Sequence, residues 1–175
     1  MPTPIKSLLV VFSYHHKNTE KIANIFASVL DAQIKTPQQV NPEELQEYGL
    51  VGFGSGIYGA KHHKSMLDLV DKLPQVINSK AFIFSTSALT GEDKVAKDHS
   101  TLREKLQSKG YVIVDEFNCP GFDTYRGSQD ANVIEKLVAR FNKLIGGINK
   151  GRPNADDLKQ AEAFAENLKK NLTTI

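Results

Sequence analysis

The chain has 175 residues, 40% of them hydrophobic and 24% charged, with 22 lysines and arginines against 20 aspartates and glutamates. These values suit one ordinary soluble domain spanning 1–175 and argue against disorder, collagen and a membrane protein. A net charge of +2 does not by itself mark a nucleic-acid or membrane surface. The single cysteine, Cys119, excludes an intramolecular disulfide and a cysteine-rich zinc site. Met1-Pro2-Thr3-Pro4 lacks the pattern of a signal peptide, so a cytoplasmic location is expected.

Ser7 to Ser13 is a short, continuous apolar run, as expected of a strand buried on both faces. The polar loop Ser13–Thr19 leads into a helix whose Ile22, Ile25, Phe26, Val29 and Leu30 form one stripe. Asn18 or Thr19 is its expected N-cap. A weaker strand is expected around Gln33–Lys35, and Asn41-Pro42-Glu43-Glu44 reads as the start of a short helix. Leu50–Gly54 is a third strand running into the loop Ser55–Lys61. Met66, Leu69, Val70 and Leu73 mark a helix that stops before Pro74.

Lys80–Ser85 is a fourth strand, ending in Thr86-Ser87-Ala88. A helix is expected around Thr101–Gln107, with Gly110 just past its end, then a fifth strand over Tyr111–Phe117. Ile134, Leu137, Val138, Phe141 and Ile145 keep a helical period within 126–146. A connector rich in Gly and Asn follows. The last helix begins near Asn154 and buries Leu158, Ala161, Ala165, Leu168 and Leu172.

Strands alternating with helices imply βαβ units and a parallel sheet with right-handed crossovers. Ligands of such sheets bind beyond the carboxyl ends of the strands, where the strand order reverses. Four loops leave those ends: 13–19, 54–61, 85–91 and 118–125. The first feeds directly into a helix. Its backbone N–H groups, the Ser13 and Thr19 hydroxyls and the helix dipole make a phosphate cradle, and Lys17 and either histidine add positive charge.

Three of these loops resemble those of the flavodoxin family: Ser13-Tyr-His-His-Lys-Asn-Thr19-Glu20, Gly54-Ser-Gly-Ile-Tyr-Gly59 and Ser85-Thr-Ser-Ala88. The stretches His62–Ser65, Gly121–Tyr125 and Leu144–Pro153 look like those of a branch of small flavodoxin-like proteins, so the resemblance covers nearly the whole chain. It implies an α/β fold, a flavodoxin-like three-layer sandwich around a five-stranded parallel sheet of order 2-1-3-4-5, with FMN bound non-covalently. Carried over by position, Ser13, His15, His16, Lys17, Asn18 and Thr19 surround the phosphate. Ser55, Gly56, Ile57, Tyr58 and Gly59 flank the ring on one side. Thr86, Ser87 and Ala88 approach the ring or the ribityl chain on the other.

The family's first loop reads Ser/Thr-x-Thr-Gly-x-Thr. Here Ser13–Thr19 is one residue longer, and His16-Lys17 stand where Thr-Gly is expected, so an easy positive-φ position is missing. With no tryptophan in the chain, Tyr58 is the best aromatic candidate to stack on the ring; an ordinary surface tyrosine is its bland alternative. Gly56 or Gly59 is the expected peptide whose carbonyl accepts from the reduced ring.

Four of the five histidines form the adjacent pairs His15-His16 and His62-His63. No cysteine or carboxylate cluster completes a metal site around them, and solvated loop residues are the leading expectation. Cys119 is expected to be a small buried hydrophobe.

The function implied is electron transfer between redox partner proteins or to a small acceptor, by a monomer or weak dimer without nucleic acid or membrane. An FMN-dependent NAD(P)H:quinone-type oxidoreductase is the alternative. The chain shows no second nucleotide fingerprint such as GxGxxG, which favours the carrier. A receiver-type signalling domain would want an aspartate at a strand end, where this chain has Ser13, Gly54 and Ser85.

Overall fold

The apolar runs become strands, labelled β1 (Ser7–Phe12), β2 (Gln33–Lys35), β3 (Leu50–Tyr58), β4 (Lys61–His62), β5 (Ser79–Ser87) and β6 (Tyr111–Pro120). The helices are α1 (Asn18–Leu30), α2 (Lys64–Asp71), α3 (Glu92–Ser108), α4 (Val133–Ile145) and α5 (Ala155–Thr173), with a 3-10 helix over Pro42–Glu47. The structure is a computed structural model that describes residues 3–14, 16–122, 133–145 and 147–173. The parallel strands lie in the order β2-β1-β3-β5-β6. Counted over the parallel strands alone, this is the expected 2-1-3-4-5. β4 adds a two-residue antiparallel ladder to β3.

Alternation along the strands divides the core in two. Leu8, Val10, Val51, Phe53, Ala81 and Ile83 pack against Met66, Leu69 and Val70 of α2 and Leu102 and Leu106 of α3. Leu9, Val11, Phe82, Phe84 and Cys119 pack against Ile22 and Phe26 of α1 and Ala161, Ala165 and Leu168 of α5. On this second face the Phe26 ring lies 5.7, 5.0, 5.5 and 5.5 Å from Phe82, Phe84, Phe117 and Phe164. Gly52 leaves room for them: a Cβ there would stand 2.5 Å from Phe82 Cζ.

The β5–β6 register shifts once. Ala81 pairs with Ile113 but Phe82 pairs with Asp115, leaving Val114 as the extra residue of a bulge. Beyond it Ile83, Ser85 and Ser87 stand beside Glu116, Asn118 and Pro120, while Phe84 and Thr86 stand beside Phe117 and Cys119.

Several boundaries differ from the sequence expectations. β3 continues through Ser55 and Gly56 to Tyr58, where a loop was expected. Gly59 and Ala60, at φ 59° and 61°, then turn it back onto β4. Two successive positive-φ residues make a type I′ hairpin, whose twist matches the flanking strands. α3 begins at Glu92 rather than near Thr101, because its first turns bury the polar Asp98 and His99, leaving no apolar stripe to read.

Neither Asn18 nor Thr19 caps α1; both lie inside the helix, and their side chains are drawn to Phe122 and Thr86. Lys17 takes the cap position at φ 54°, standing in for the missing glycine. Ser13 Oγ accepts from the Glu20 N–H at 3.2 Å. The helix expected within 126–146 is present as α4, and 126–132 and 146 fall outside the described residues. α5 starts where expected: Asn154 and Asp157 exchange backbone–side-chain bonds of 3.0 and 2.8 Å as a capping box, and Arg152 grips the Asp157 carboxylate.

Candidate functional site

From β1 the chain crosses to β2 on one side, and from β3 to β5 on the other, so the strand order reverses between β1 and β3. This is the switch point at which open α/β sheets form a ligand crevice. The loop after β1 lies there. Its half-buried Ser13 holds the first turn of α1. His16 packs its ring 4.3 Å from that of Phe122. Lys17 is exposed, 3.9 Å from the Glu20 carboxylate. His15 lies outside the described residues.

Asn18 Nδ2 donates to the Phe122 carbonyl at 2.8 Å, and Gly121 permits this approach, since a Cβ there would come 2.7 Å from Asn18 Nδ2. Thr19 Oγ1 meets Thr86 Oγ1 at 2.8 Å in a buried contact. The loops after β1, β5 and β6 are thereby stitched together. A helix N-terminus flanked by a hydroxyl, an imidazole and an ammonium group suits an anion. Asn18 Oδ1 is buried without a donor, an acceptor suited to a ligand hydroxyl. These groups fit the phosphate and sugar-alcohol end of a flavin mononucleotide.

The second and third sets of residues meet in register, because Gly56 of β3 pairs with Thr86 of β5. The Gly56 carbonyl accepts from Ser55 Oγ at 2.7 Å. Ile57 is half-buried, and Tyr58 is 37% exposed with its ring edge-on to Phe12 and His63. Phe12 and His63 stack on one another at 3.7 Å. His63 also caps α2, its Nδ1 accepting from the Ser65 N–H at 3.2 Å. Ser87 Oγ donates to the Leu89 carbonyl, and the Ala88 carbonyl accepts from Asn149 Nδ2 at 2.8 Å. The connector after α4 therefore reaches the loop after β5.

A buried polar layer under these loops was not legible in the sequence. Ser55 and Ser85 continue the apolar columns Val51–Phe53 and Ala81–Ile83 on the α2–α3 face. Above them sit His62 and His99, 2% and 0% exposed, with ring centroids 5.1 Å apart. His62 corrects the expectation of a solvated loop residue: the hairpin folds it back onto α3, and Ser55 Oγ meets its Nδ1 at 2.9 Å. Ser85 Oγ meets His99 Nε2 at 2.7 Å, and His99 Nδ1 meets Glu116 Oε1 at 2.9 Å. Arg103 clasps both Glu116 oxygens at 2.9 and 3.0 Å. Asn118 Nδ2 donates to Ser85 Oγ at 2.8 Å and to Ser87 Oγ at 3.0 Å.

Burial alone would raise the Glu116 carboxyl, but the hydrogen bonds from His99 and Arg103 outweigh it and hold it at about 2. Burial, then the neighbouring His99, pushes His62 well below its usual value. Polar residues at buried positions of an alternating strand were the one available signal for this layer.

Among the described residues no group of three or more His, Cys, Asp or Glu side chains is placed to hold a metal ion. No described helix is long and apolar enough to cross a membrane. Cys119 is buried, and desolvation pushes its thiol up to about 12, so it is an inert packing residue.

Comparison with known proteins agrees with the fold. The profile of the flavodoxin domain matches residues 9–121. An uncharacterised protein of Methanocaldococcus jannaschii is 44% identical over 95% of this chain and 100% of its own. Among solved structures, an archaeal flavodoxin superposes with a TM-score of 0.62 at 15% identity, covering 95% of this chain and 98% of that one. Oxidised flavodoxin 2 from Bacillus cereus superposes with a TM-score of 0.64, also at 15% identity, over 95% and 99%. These two show the shared fold; the domain match goes further and shows that this chain belongs to the flavodoxin family.

Proposed function

We propose that this protein binds FMN non-covalently at the carboxyl ends of β1, β3 and β5 and passes electrons between redox partners. The supporting observation is convergence. The N-terminus of α1, with Ser13, His16, Lys17, Asn18 and Thr19, is bonded through Thr19 and Thr86 to the strand ends that carry Ser55–Gly59 and Thr86–Ala88. The bound flavin supplies the redox chemistry. The α1 terminus and Lys17 hold the phosphate, with His16 beside it, and the Asn18 amide oxygen takes a ribityl hydroxyl. Tyr58 covers the ring on the hairpin side, while Ser87 and Ala88 limit it on the other. The Gly56 carbonyl is already held by Ser55. Gly59, at the positive-φ corner of the hairpin, is therefore the better-placed peptide to turn a carbonyl toward the reduced ring.

The test is the visible spectrum of the purified protein, or of the protein given FMN. A flavin spectrum whose chromophore is released by acid as FMN is the expected result. A colourless protein that leaves added FMN unquenched would overturn the reading. Anaerobic photoreduction then separates the two modes: a carrier shows a stable one-electron stage, whereas a quinone-type reductase passes directly to the two-electron state.

A further inference from the structure

The electron-transfer reading leaves the His62–His99 layer without a role, although it lies one residue from the proposed cofactor positions Gly56 and Thr86. The hydrogen bonds around each ring define what it can hold. Ser55 Oγ donates to the Gly56 carbonyl at 2.7 Å and accepts from the His63 N–H at 3.1 Å. With its one hydrogen spent, it receives a proton from His62 Nδ1. His62 is thus the Nδ1–H tautomer. Its Nε2 is buried without a partner, so a second proton there would be stranded.

His99 differs. Its Nδ1 faces a carboxylate, which only accepts, so Nδ1 carries a proton. Its Nε2 faces a serine hydroxyl that can rotate. Ser85 Oγ donates to a neutral His99 and accepts from a charged one, while accepting from Asn118 in both states. Adding a proton to His99 Nε2 therefore breaks no hydrogen bond to the ring. The charged groups facing the pair are Glu116 of β6 and Arg103 of α3; the nearby Asp98 is neutralised by Lys94 at 2.5 Å. An open hollow of about 480 Å³, lined in part by Thr90, Gly91, His99, Glu116 and Asn118, brings solvent to the edge of this array.

We propose that His99 takes up a proton from solvent when an electron arrives at the neighbouring cofactor site, so that the protein itself neutralises part of the added negative charge. The balance is one electron onto the cofactor from its donor and one proton from water onto His99 Nε2, with no covalent bond of the chain broken. Ser85 acts as the reversible hydrogen-bond partner. Glu116, fixed by Arg103, positions the ring through His99 Nδ1, and His62 remains a neutral spacer. The inference rests on the cofactor reading above.

The experiment is an imidazole NMR titration of the FMN-loaded protein from pH 5 to 8, oxidised and then reduced with dithionite. The His99 midpoint is expected to rise on reduction by about one pH unit, the size of a Coulomb interaction between buried neighbouring charges. His62 keeps its Nδ1–H tautomer throughout. In Glu116→Gln the His99 midpoint falls in both states and the rise on reduction persists. In His99→Gln the corresponding bend in the plot of midpoint potential against pH disappears. The wild-type titration stands even if either variant fails to fold. An unchanged His99 midpoint in a protein that does bind FMN overturns this inference alone. A protein that binds no FMN overturns the functional reading and this inference with it.

Discussion

On the α1–α5 side the sheet stays apolar through Phe84, Phe117 and Cys119, packed under Phe26 and Phe164, and turns polar at the last step, where Thr86 meets Thr19 of α1. On the α2–α3 side the same strands turn polar at Ser55, Ser85 and Asn118, and two imidazoles fill the space that Leu and Val fill lower down. One face is dry and holds the fold by area and packing. The other exchanges some of that stabilisation for groups that can change charge, and tolerates them because each strand-end hydroxyl is matched to a ring nitrogen.

The comparison breaks most visibly at Phe26. Phe26→Ala removes the centre of a five-ring cluster and should cost about 3–5 kcal/mol in urea unfolding, with little dependence on pH between 5 and 8. A loss below ~1 kcal/mol would show that the dry face is not what holds the sheet.

The polar face should answer to acid. Glu116 titrates near 2 in the fold against a usual 4.5. A depressed carboxyl contributes in full above about pH 4.5 and loses that contribution as pH falls toward 2. The shift corresponds to at most about 3 kcal/mol. The stability gap between the native protein and Glu116→Gln should therefore close between pH 5 and 2; a constant gap would sink the assignment. His62 acts over a higher window. Kept neutral by burial, it favours the fold above its ordinary pKa near 6.5, and that advantage is lost on acidification below this value.

The smallest effect tests the loop between the two faces. Lys17→Gly relieves a left-handed lysine and should raise stability by about 0.5–1 kcal/mol, measured as a higher urea midpoint. An unchanged or lower midpoint would mean that the Lys17 side chain compensates for its backbone.

The strands and both helical stripes, Ile22–Leu30 and Leu158–Leu172, were legible because burial against an apolar core leaves a pattern in the sequence, whereas the strand order followed from the resemblance of the loops to those of flavodoxins. The first half of α3 was not legible, because its inward face carries Asp98 and His99. The extension of β3 was hidden by Ser55, Gly56 and Gly59, residues that read as a loop yet here complete a strand and a hairpin. For the candidate site, Asn18 and Thr19 were found by position in the loop, but their bonds to Phe122 and Thr86 reach across 104 and 67 residues of sequence, and no local pattern encodes them. His99 and Glu116 carry no motif; only the third dimension brings them to Ser85.

The bulge in β6 gives this edge strand one residue of slack. Strict alternation from Tyr111 would have turned Glu116 among the phenylalanines and Phe117 toward His99; the extra residue at Val114 absorbs that phase error. Loss of a single codon at Val114 would straighten the strand and leave Glu116, Phe117, Asn118 and Cys119 facing as they do now. The same loss at Phe117 would also be absorbed by the bulge, but would turn Glu116 among the phenylalanines before the strand regains its phase at Asn118. Tolerance to length change along this strand is therefore set by a phase boundary, with the pliable side on the amino-terminal half and the chemically committed side beyond it.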